Sequence, residues 1–198
     1  MKKDYSGQRV VVVGAGLSGR ALVRYLLARG ATVALSDVRP AEQIVGLAEL
    51  NGLPVRLDLG GHDLELFEQA DLVAVSPGVP LSIKALQLAK NLHIPMLGEV
   101  EIAAAEIDAP IIAVTGTNGK STTTSLIGES LRACGRRVFV GGNIGTPLLT
   151  ACGIDYDLLA VELSSFQLET IRDFHPRYAL LLNLSADHLD RYEDLNGY

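Results

Sequence analysis

Cysteine is nearly absent from the 198 residues. The two present, Cys134 and Cys152, lack the spacing of metal ligands or of a redox pair, so a disulfide scaffold is excluded and both thiols are expected reduced. Long apolar runs are missing too. A membrane-spanning helix needs about 20 apolar residues, and no stretch approaches that, so no membrane segment is expected. Basic charge is not in excess. The formal net charge of −6 opposes the attraction to nucleic acid that depends on Lys and Arg neutralising phosphates. Any phosphate must then be held locally, by backbone N–H groups at helix N-termini and a few placed cations. The start "MKKDYSGQRVVVVGAG" reaches acid, tyrosine and glycine before its apolar run, which enters a glycine turn rather than a cleavage site. It does not read as a secretory leader, and a cytoplasmic protein is expected. Repeats with a period of about 20 to 50 residues and low-complexity tracts are absent, which excludes a solenoid.

What is present is a folded α/β chain. Its length exceeds the usual domain of about 100 to 150 residues, so two compact units are expected. From residue 9 to 97 short apolar runs alternate with helix-length segments: "RVVVV", 19–29, "TVALS", 41–51, "PVRL", 64–70, "LVAVS", 83–91 and "IPML". Val- and Leu-rich strands separated by helices imply a mostly parallel sheet covered on both faces, because parallel connections need long crossovers. A short helical stretch over 99–106 and "IDAP" precede a second alternation: "IIAVT", a helix from 121, "RRVFV", "LLAVEL" and "YALLLNL". The expected fold is a Rossmann-like parallel-sheet domain over 1–98 followed by part of a P-loop α/β domain over 99–198.

"VVVVGAGLSGRALVRYLL" places Gly14, Gly16 and Gly19 in G-x-G-x-x-G spacing after a strand and at the opening of a helix, and "TVALSD" ends a second strand at Asp37. Such glycines allow a tight turn and close backbone approach to a pyrophosphate, while the acid bonds a ribose. The same geometry holds the diphosphate of NAD or of a UDP-sugar, so the choice rests on the second unit. "VAVSPGVP" is a further strand ending in a loop, and a doubly wound sheet puts that loop near the first one, which makes Ser76 and Gly78 ligand candidates.

"VTGTNGKSTTTS" matches G-x-x-x-x-G-K-[ST] only in part, since Val114 stands where the pattern has its first glycine. Gly116, Thr117, Asn118, Gly119, Lys120, Ser121 and Thr122 still follow a buried-type strand and start a helix. Amides there wrap phosphate oxygens, Lys120 neutralises the terminal phosphates, and the Ser121 or Thr122 hydroxyl can ligate magnesium. A structural turn has no need of that lysine, so the loop reads as one for a nucleoside triphosphate, ATP being expected. Glu162, ending "LLAVEL", is placed either as a carboxylate ligand for magnesium or as a solvated strand-end acid. Asp187 and His188 follow another strand in "NLSADHLDRY", where His188 is a ligand or a structural histidine. Asn143 in "GGNIG" could bond a phosphate or a substrate oxygen.

Taken in order, "GAGLSG", "SPGVP", "GTNGKST", "GGNIG", "ELSSFQLE" and "NLSADHLDRY" resemble the Mur ligases, the ATP-dependent amide-forming enzymes of peptidoglycan precursor synthesis. "ELSSFQLE" with "GAGLSG" points to the D-glutamate-adding members over the related ligases and folylpolyglutamate synthase. The resemblance implies that the first domain holds UDP-N-acetylmuramoyl-L-alanine rather than NAD, with Gly16, Leu17, Ser18, Asp37 and Arg39 lining the uridine and diphosphate site and Ser76 and Gly78 nearby. Val38 departs from the family, where a hydroxyl residue is common. The implied reaction phosphorylates the substrate carboxylate with ATP, and the amine of D-glutamate then attacks the acyl phosphate. Lys120 and magnesium would neutralise charge, with Ser121 and Glu162 as metal ligands, Asn143 at the transferring region and His188 on a second magnesium. Family members also carry a carbamylated lysine beyond "DHLDRY" and a third domain. The sequence stops at Tyr198 before either, so a fragment of a larger enzyme that binds the UDP-sugar weakly without ligating is expected; a monomer is expected as well.

Two other classes compete. An NAD-dependent oxidoreductase would use "GAGLSG" and Asp37 but leave Lys120 idle. A P-loop regulatory switch would have no use for the first glycine loop.

Overall fold

The computed structural model describes residues 4–188, 191–192 and 194–198. The chain forms two compact units, Met1–Ile102 and Ala103–Tyr198. Their division falls inside a helix rather than at residue 98, where a strand ends.

Unit one is built on strands β1 (Arg9–Val13), β2 (Thr32–Asp37), β3 (Val55–Leu59), β4 (Leu72–Val75) and β5 (Met96–Gly98), with helices α1 (Leu17–Leu27), α2 (Leu64–Glu68) and α3 (Lys84–Asn91), and α4 (Glu99–Ala104) is the helix in which the division falls. The sheet runs in the order β3-β2-β1-β4-β5 with every pair parallel. β1 buries Val10, Val11, Val12 and Val13 together, the pattern of a central strand covered on both faces. On one face Val11, Val13, Val73 and Val75 pack with Phe67, Ala85, Leu86 and Ala89. Phe67 is fully buried, and its truncation to Ala would cost about 3–5 kcal/mol. Helix α1 buries Leu22, Val23 and Leu26. It stops where Gly30 (φ 80) returns its N–H to Leu27 O and Ala31 N–H reaches Leu26 O, the paired bonds that close a helix through a left-handed glycine.

The segment 41–51 is not the single helix its composition implies. It forms two 3-10 turns, Ala41–Gln43 and Leu47–Leu50, parted by Gly46 at φ 80. The reason is a tertiary bond: the buried Arg20 guanidinium donates to Val45 O at 2.9 Å and abuts Gly46, where a Cβ would lie 2.7 Å from Nη2. A continuous helix would withdraw that carbonyl.

Unit two holds β6 (Ile111–Thr115), α5 (Lys120–Ala133), β7 (Val138–Gly142), β8 (Leu158–Glu162), α6 (Ser165–Leu168) and β9 (Tyr178–Leu181). Its sheet has the order β7-β8-β6-β9, again all parallel. Gly128 lets α5 lie close to the sheet, since a Cβ there would overlap Val140 Cγ2. Val114 is fully buried within β6 and pairs with Glu162 of β8, which explains its departure from the glycine pattern: the position is strand interior, and the loop begins only at Gly116. The apolar run "YALLLNL" leaves the ladder early. β9 ends at Leu181, and residues 182–185 turn onto the loop after β6. Among the described residues no helix is long and apolar enough to cross a membrane.

Candidate functional site

In unit one the strand order reverses between β1 and β4, so the loops that follow these strands lie side by side at the carboxyl edge, where such sheets bind ligands. Ser76 joins them: its N–H donates to Val13 O and its buried hydroxyl to Gly14 O, both at 2.9 Å. The three glycines divide by what surrounds them. A Cβ at Gly14 (φ 93) would lie 2.8 Å from Val79 Cγ2, and one at Gly19 would overlap the Gly14 carbonyl oxygen. Packing alone demands those two. At Gly16 a Cβ would meet no atom of the described residues within 4 Å beyond its own chain neighbours, and its φ of −69 suits any residue. Gly16 and Leu17 are exposed at the start of α1 and Ser18 is half-buried, so these residues offer backbone N–H groups at the positive end of an 11-residue helix. Gly78 is likewise exposed with open space around it.

Asp37 ends β2 with its carboxylate turned inward, 4% exposed. Oδ2 accepts from Ala15 N at 2.7 Å and Arg39 Nη2 at 2.7 Å; Oδ1 accepts from Arg39 N and Arg39 Nε, both at 2.9 Å. Burial pushes its pKa up, but the hydrogen bonds from Arg39 and Ala15 and the Arg39 charge outweigh that and hold it down to about 2. A carboxylate oxygen accepts about two strong bonds. Both oxygens are thus engaged, and Asp37 anchors the glycine loop rather than presenting itself to a ribose. Arg20 was not legible in the sequence as part of this edge. Its guanidinium braces the same loop from below, donating to Ala15 O at 3.0 Å.

In unit two the loop from Gly116 to Gly119 carries two left-handed glycines, φ 132 and 85, and delivers Lys120, Ser121 and Thr122 into the first turn of α5. The Lys120 ammonium folds over the loop and donates to Gly116 O at 2.7 Å and Thr117 O at 2.9 Å. The Ser121 and Thr122 side chains are exposed at the helix start. Not every loop amide is free. Thr117 N donates to Asn183 O and Asn118 N to Asn183 Oδ1, so of the expected amides Thr117 and Asn118 are already bonded and those from Gly119 onward remain for an anion.

Glu162 is 1% exposed. Asn143 Nδ2 donates to its Oε1 at 2.7 Å, and the Asn143 amide donates to its main-chain carbonyl at 2.9 Å. Oε2 is buried and has no hydrogen-bond partner among the described residues. A buried carboxylate oxygen without a donor is costly, and a hard cation is the partner it fits. Ser121 and Glu162 are both oxygen donors of the kind magnesium takes alongside phosphate. Among the described residues there is no group of three or more His, Cys, Asp and Glu that could hold a metal ion; magnesium ordinarily fills its shell with waters and substrate phosphate oxygens beside one or two protein ligands.

His188 lies apart from that pair in its contacts. It has φ 51, donates its backbone N–H to Asp187 Oδ1 at 2.9 Å and packs at 4.7 Å centroid distance on Phe166. The surrounding cluster is one the sequence did not announce: Arg191 bonds Glu169 at 2.6 Å and stacks over Phe166, while Tyr192 donates to Glu169 Oε1 at 2.6 Å. These contacts fasten the segment after β9 to α6, whose own start is closed by the reciprocal Ser164–Gln167 capping box.

Residues 8–98 match the Mur ligase MurD-like N-terminal domain and residues 114–198 the Mur ligase middle domain. Over 196 residues the chain is 56% identical to UDP-N-acetylmuramoylalanine--D-glutamate ligase of Syntrophotalea carbinolica, and over 198 residues 47% identical to the protein of that name from Geotalea daltonii. Each alignment takes in 98% of this chain and 44% of the relative, so the chain spans less than half the length of the curated relatives it matches. Among solved structures its fold is similar to that of UDP-N-acetylmuramate-alanine ligase from Thermotoga maritima, with a TM-score of 0.55 at 24% identity, covering 96% of this chain and 45% of that one. It is also similar to UDP-N-acetylmuramate:L-alanyl-gamma-D-glutamyl-meso-diaminopimelate ligase from Neisseria meningitides, with a TM-score of 0.55 at 19% identity, covering 96% of this chain and 64% of that one.

Proposed function

The chain belongs to the Mur ligase family, and on that premise we propose that it carries the UDP-sugar-binding and ATP-binding parts of a cytoplasmic ligase that joins D-glutamate to UDP-N-acetylmuramoyl-L-alanine. The substrate assignment is supported by relatives of that name at 47–56% identity. The observation that carries the chemistry is the juxtaposition in unit two of the Gly116–Ser121 loop with Glu162. β6, which leads into the loop, pairs with β8 in a register that sets Val114 beside Glu162, and the Glu162 carboxylate keeps one buried oxygen unpartnered among the described residues.

The reaction this arrangement suits has two steps. A carboxylate oxygen of the L-alanyl group attacks the γ-phosphorus of ATP, ADP leaves, and an acyl phosphate forms. The amine of D-glutamate then attacks the acyl carbon, losing a proton as phosphate departs and the amide forms. The first step brings two anions together, so positioning and charge neutralisation are the main demands. Lys120 meets the second: its ammonium exchanges the carbonyls of Gly116 and Thr117 for phosphate oxygens, a charge-assisted bond in place of neutral ones. The amides from Gly119 to Thr122 bind phosphate at the N-terminus of a 14-residue helix. Ser121 Oγ and Glu162 Oε2 are the groups that would hold a magnesium ion, with His188 available to a second. Magnesium, when bound, withdraws charge from the phosphate oxygens it touches. Asn143 holds Glu162 in place. In unit one the start of α1 takes the diphosphate, and the anchored Asp37 and the Arg39 guanidinium shape the uridine end.

The oxidoreductase alternative uses only unit one, and there the ribose-bonding acid is already saturated by Ala15 and Arg39. Calorimetric titration with UDP-N-acetylmuramoyl-L-alanine, with Mg·ATP and with NADH tests the reading. Heat from the first two and none from NADH is expected; heat from NADH alone would overturn the account of unit one.

A further inference from the structure

The peptide groups flanking Asn118 are held from outside the nucleotide loop. The Asn118 N–H donates to Asn183 Oδ1 at 2.9 Å, and its carbonyl accepts from Asn183 Nδ2 at 2.9 Å. One carboxamide thus makes the two-way pairing that a neighbouring strand would make, although β9 has already ended at Leu181. The backbone extends the hold. Leu182 N donates to Thr115 O at 3.0 Å and Thr117 N to Asn183 O at 3.1 Å. The Thr117 hydroxyl donates to Ser185 O at 3.1 Å and accepts from Ser185 N at 3.0 Å. A Cβ on Gly116 would lie 3.0 Å from Asn183 O, so the two segments are also in close contact.

This changes what the loop has to do on binding. The amides that remain for phosphate start at Gly119, and their direction is set by the peptide linking Asn118 to Gly119, whose carbonyl is the group that Asn183 Nδ2 holds. Gly119 itself sits at φ 85, a conformation a free glycine samples among many others. Ordering a free loop costs conformational entropy at every residue fixed, and fixing it beforehand leaves more of the interaction energy as affinity. The side chain also has to be an amide. Aspartate would direct a carboxylate oxygen at the Asn118 carbonyl, acceptor against acceptor, and serine would supply only one short group.

We propose that Asn183 is a positioning residue for nucleotide binding, which aligns the phosphate-facing amides by clamping Asn118 and touches no part of the nucleotide. This rests on the reading of the Gly116–Ser121 loop as an ATP site.

The test compares the chain with N183A and N183D by calorimetric titration with a non-hydrolysable ATP analogue and Mg²⁺, and separately with UDP, together with thermal denaturation. N183A loses both hydrogen bonds that preorganise the loop, and N183D keeps the acceptor for the Asn118 N–H but sets a carboxylate oxygen against the Asn118 carbonyl, so nucleotide binding should weaken about tenfold or more in both variants, with UDP affinity within about twofold of the parent. N183D is nearly isosteric, so a purely space-filling role would leave it like the parent, and it decides the matter if N183A does not fold. Nucleotide affinity within about twofold of the parent in N183D would overturn the proposal alone. Silence of the parent chain toward the nucleotide, with UDP still binding, would overturn the ATP reading and the proposal with it. Hydrogen exchange gives a readout without ligand: the Asn118 amide is expected to be protected in the parent and to exchange freely in N183A, and an unprotected Asn118 amide in the parent would overturn the clamp.

Discussion

Asn143 donates its side-chain amide to Glu162 Oε1 at 2.7 Å and leaves Glu162 Oε2 buried without a partner among the described residues. The carboxylate is thereby aimed, since only one of its oxygens remains to receive a further group. Glu162→Gln keeps an acceptor for Asn143 and removes the unpaired negative charge. Without nucleotide its stability should lie within about 1 kcal/mol of the parent, because removing an uncompensated buried charge offsets the strain of an added donor. The stabilisation by Mg·ATP should be lost. Thermal denaturation with and without Mg·ATP checks this, and an undiminished upshift in the variant would remove Glu162 from the metal site.

Lys120 is expected to matter for nucleotide and little for folding. Its ammonium is bonded to two loop carbonyls, half-buried, where each such bond contributes about 1 kcal/mol net. Lys120→Met should therefore shift stability by no more than about 2 kcal/mol while lowering Mg·ATP affinity at least about tenfold, the phosphate contact being charge-assisted. Equal calorimetric affinity in parent and variant would show that the lysine serves only the loop carbonyls.

The buried Asp37 links pH to the stability of unit one. Its folded pKa of about 2 lies below the ordinary aspartate value near 3.8. The ionised form is thus favoured in the folded state, and the associated stability is present in full above pH ~4 and lost as pH falls through ~2. The difference amounts to roughly 2 kcal/mol, an upper figure because Arg39 is half-exposed. Denaturant unfolding of the parent and of Asp37→Asn across pH 2 to 6 measures it: the parent should show the loss between about pH 4 and 2 and the variant should lack that component.

Much of this was legible in the residues. The alternation of Val-rich runs with helix-length segments set the parallel order of both sheets, and both glycine loops stand at strand ends as their spacing implied. Asp37 was recognisable as a strand-end acid, but not its inward turn, which depends on Arg39 two residues on and on an amide twenty-two residues earlier. Segment 41–51 has a helical composition broken by one glycine, a cost of about 1 kcal/mol, and only the Arg20 guanidinium that claims the Val45 carbonyl decides against the helix. Asn183 was hidden inside a run that reads as strand through Leu184, because a side chain that imitates a backbone leaves no period in the sequence. Two residues of the "DHLDRY" motif, Leu189 and Asp190, lie outside the described residues, as does Glu193 after it.

Gly16 and Gly19 separate folding from binding within one loop. A methyl group at Gly19 would be driven into the Gly14 carbonyl oxygen, a backbone atom held by the Ser76 hydroxyl, and neither side has a rotamer with which to yield. Gly19→Ala should cost about 3 kcal/mol or more, as overpacking against backbone does. Gly16 has the opposite surroundings: among the described residues, beyond its chain neighbours, no atom lies within 4 Å of where a Cβ would stand, and its φ of −69 is one that alanine adopts readily. Gly16→Ala should fold with stability within about 0.5 kcal/mol of the parent or slightly above it, since alanine restricts the unfolded chain. A diphosphate seated on the start of α1 would meet that methyl group, so affinity for UDP should fall about tenfold or more. Chemical denaturation and UDP calorimetry on the two variants read the two effects apart, and unchanged UDP affinity in Gly16→Ala would place the diphosphate away from the first glycine loop.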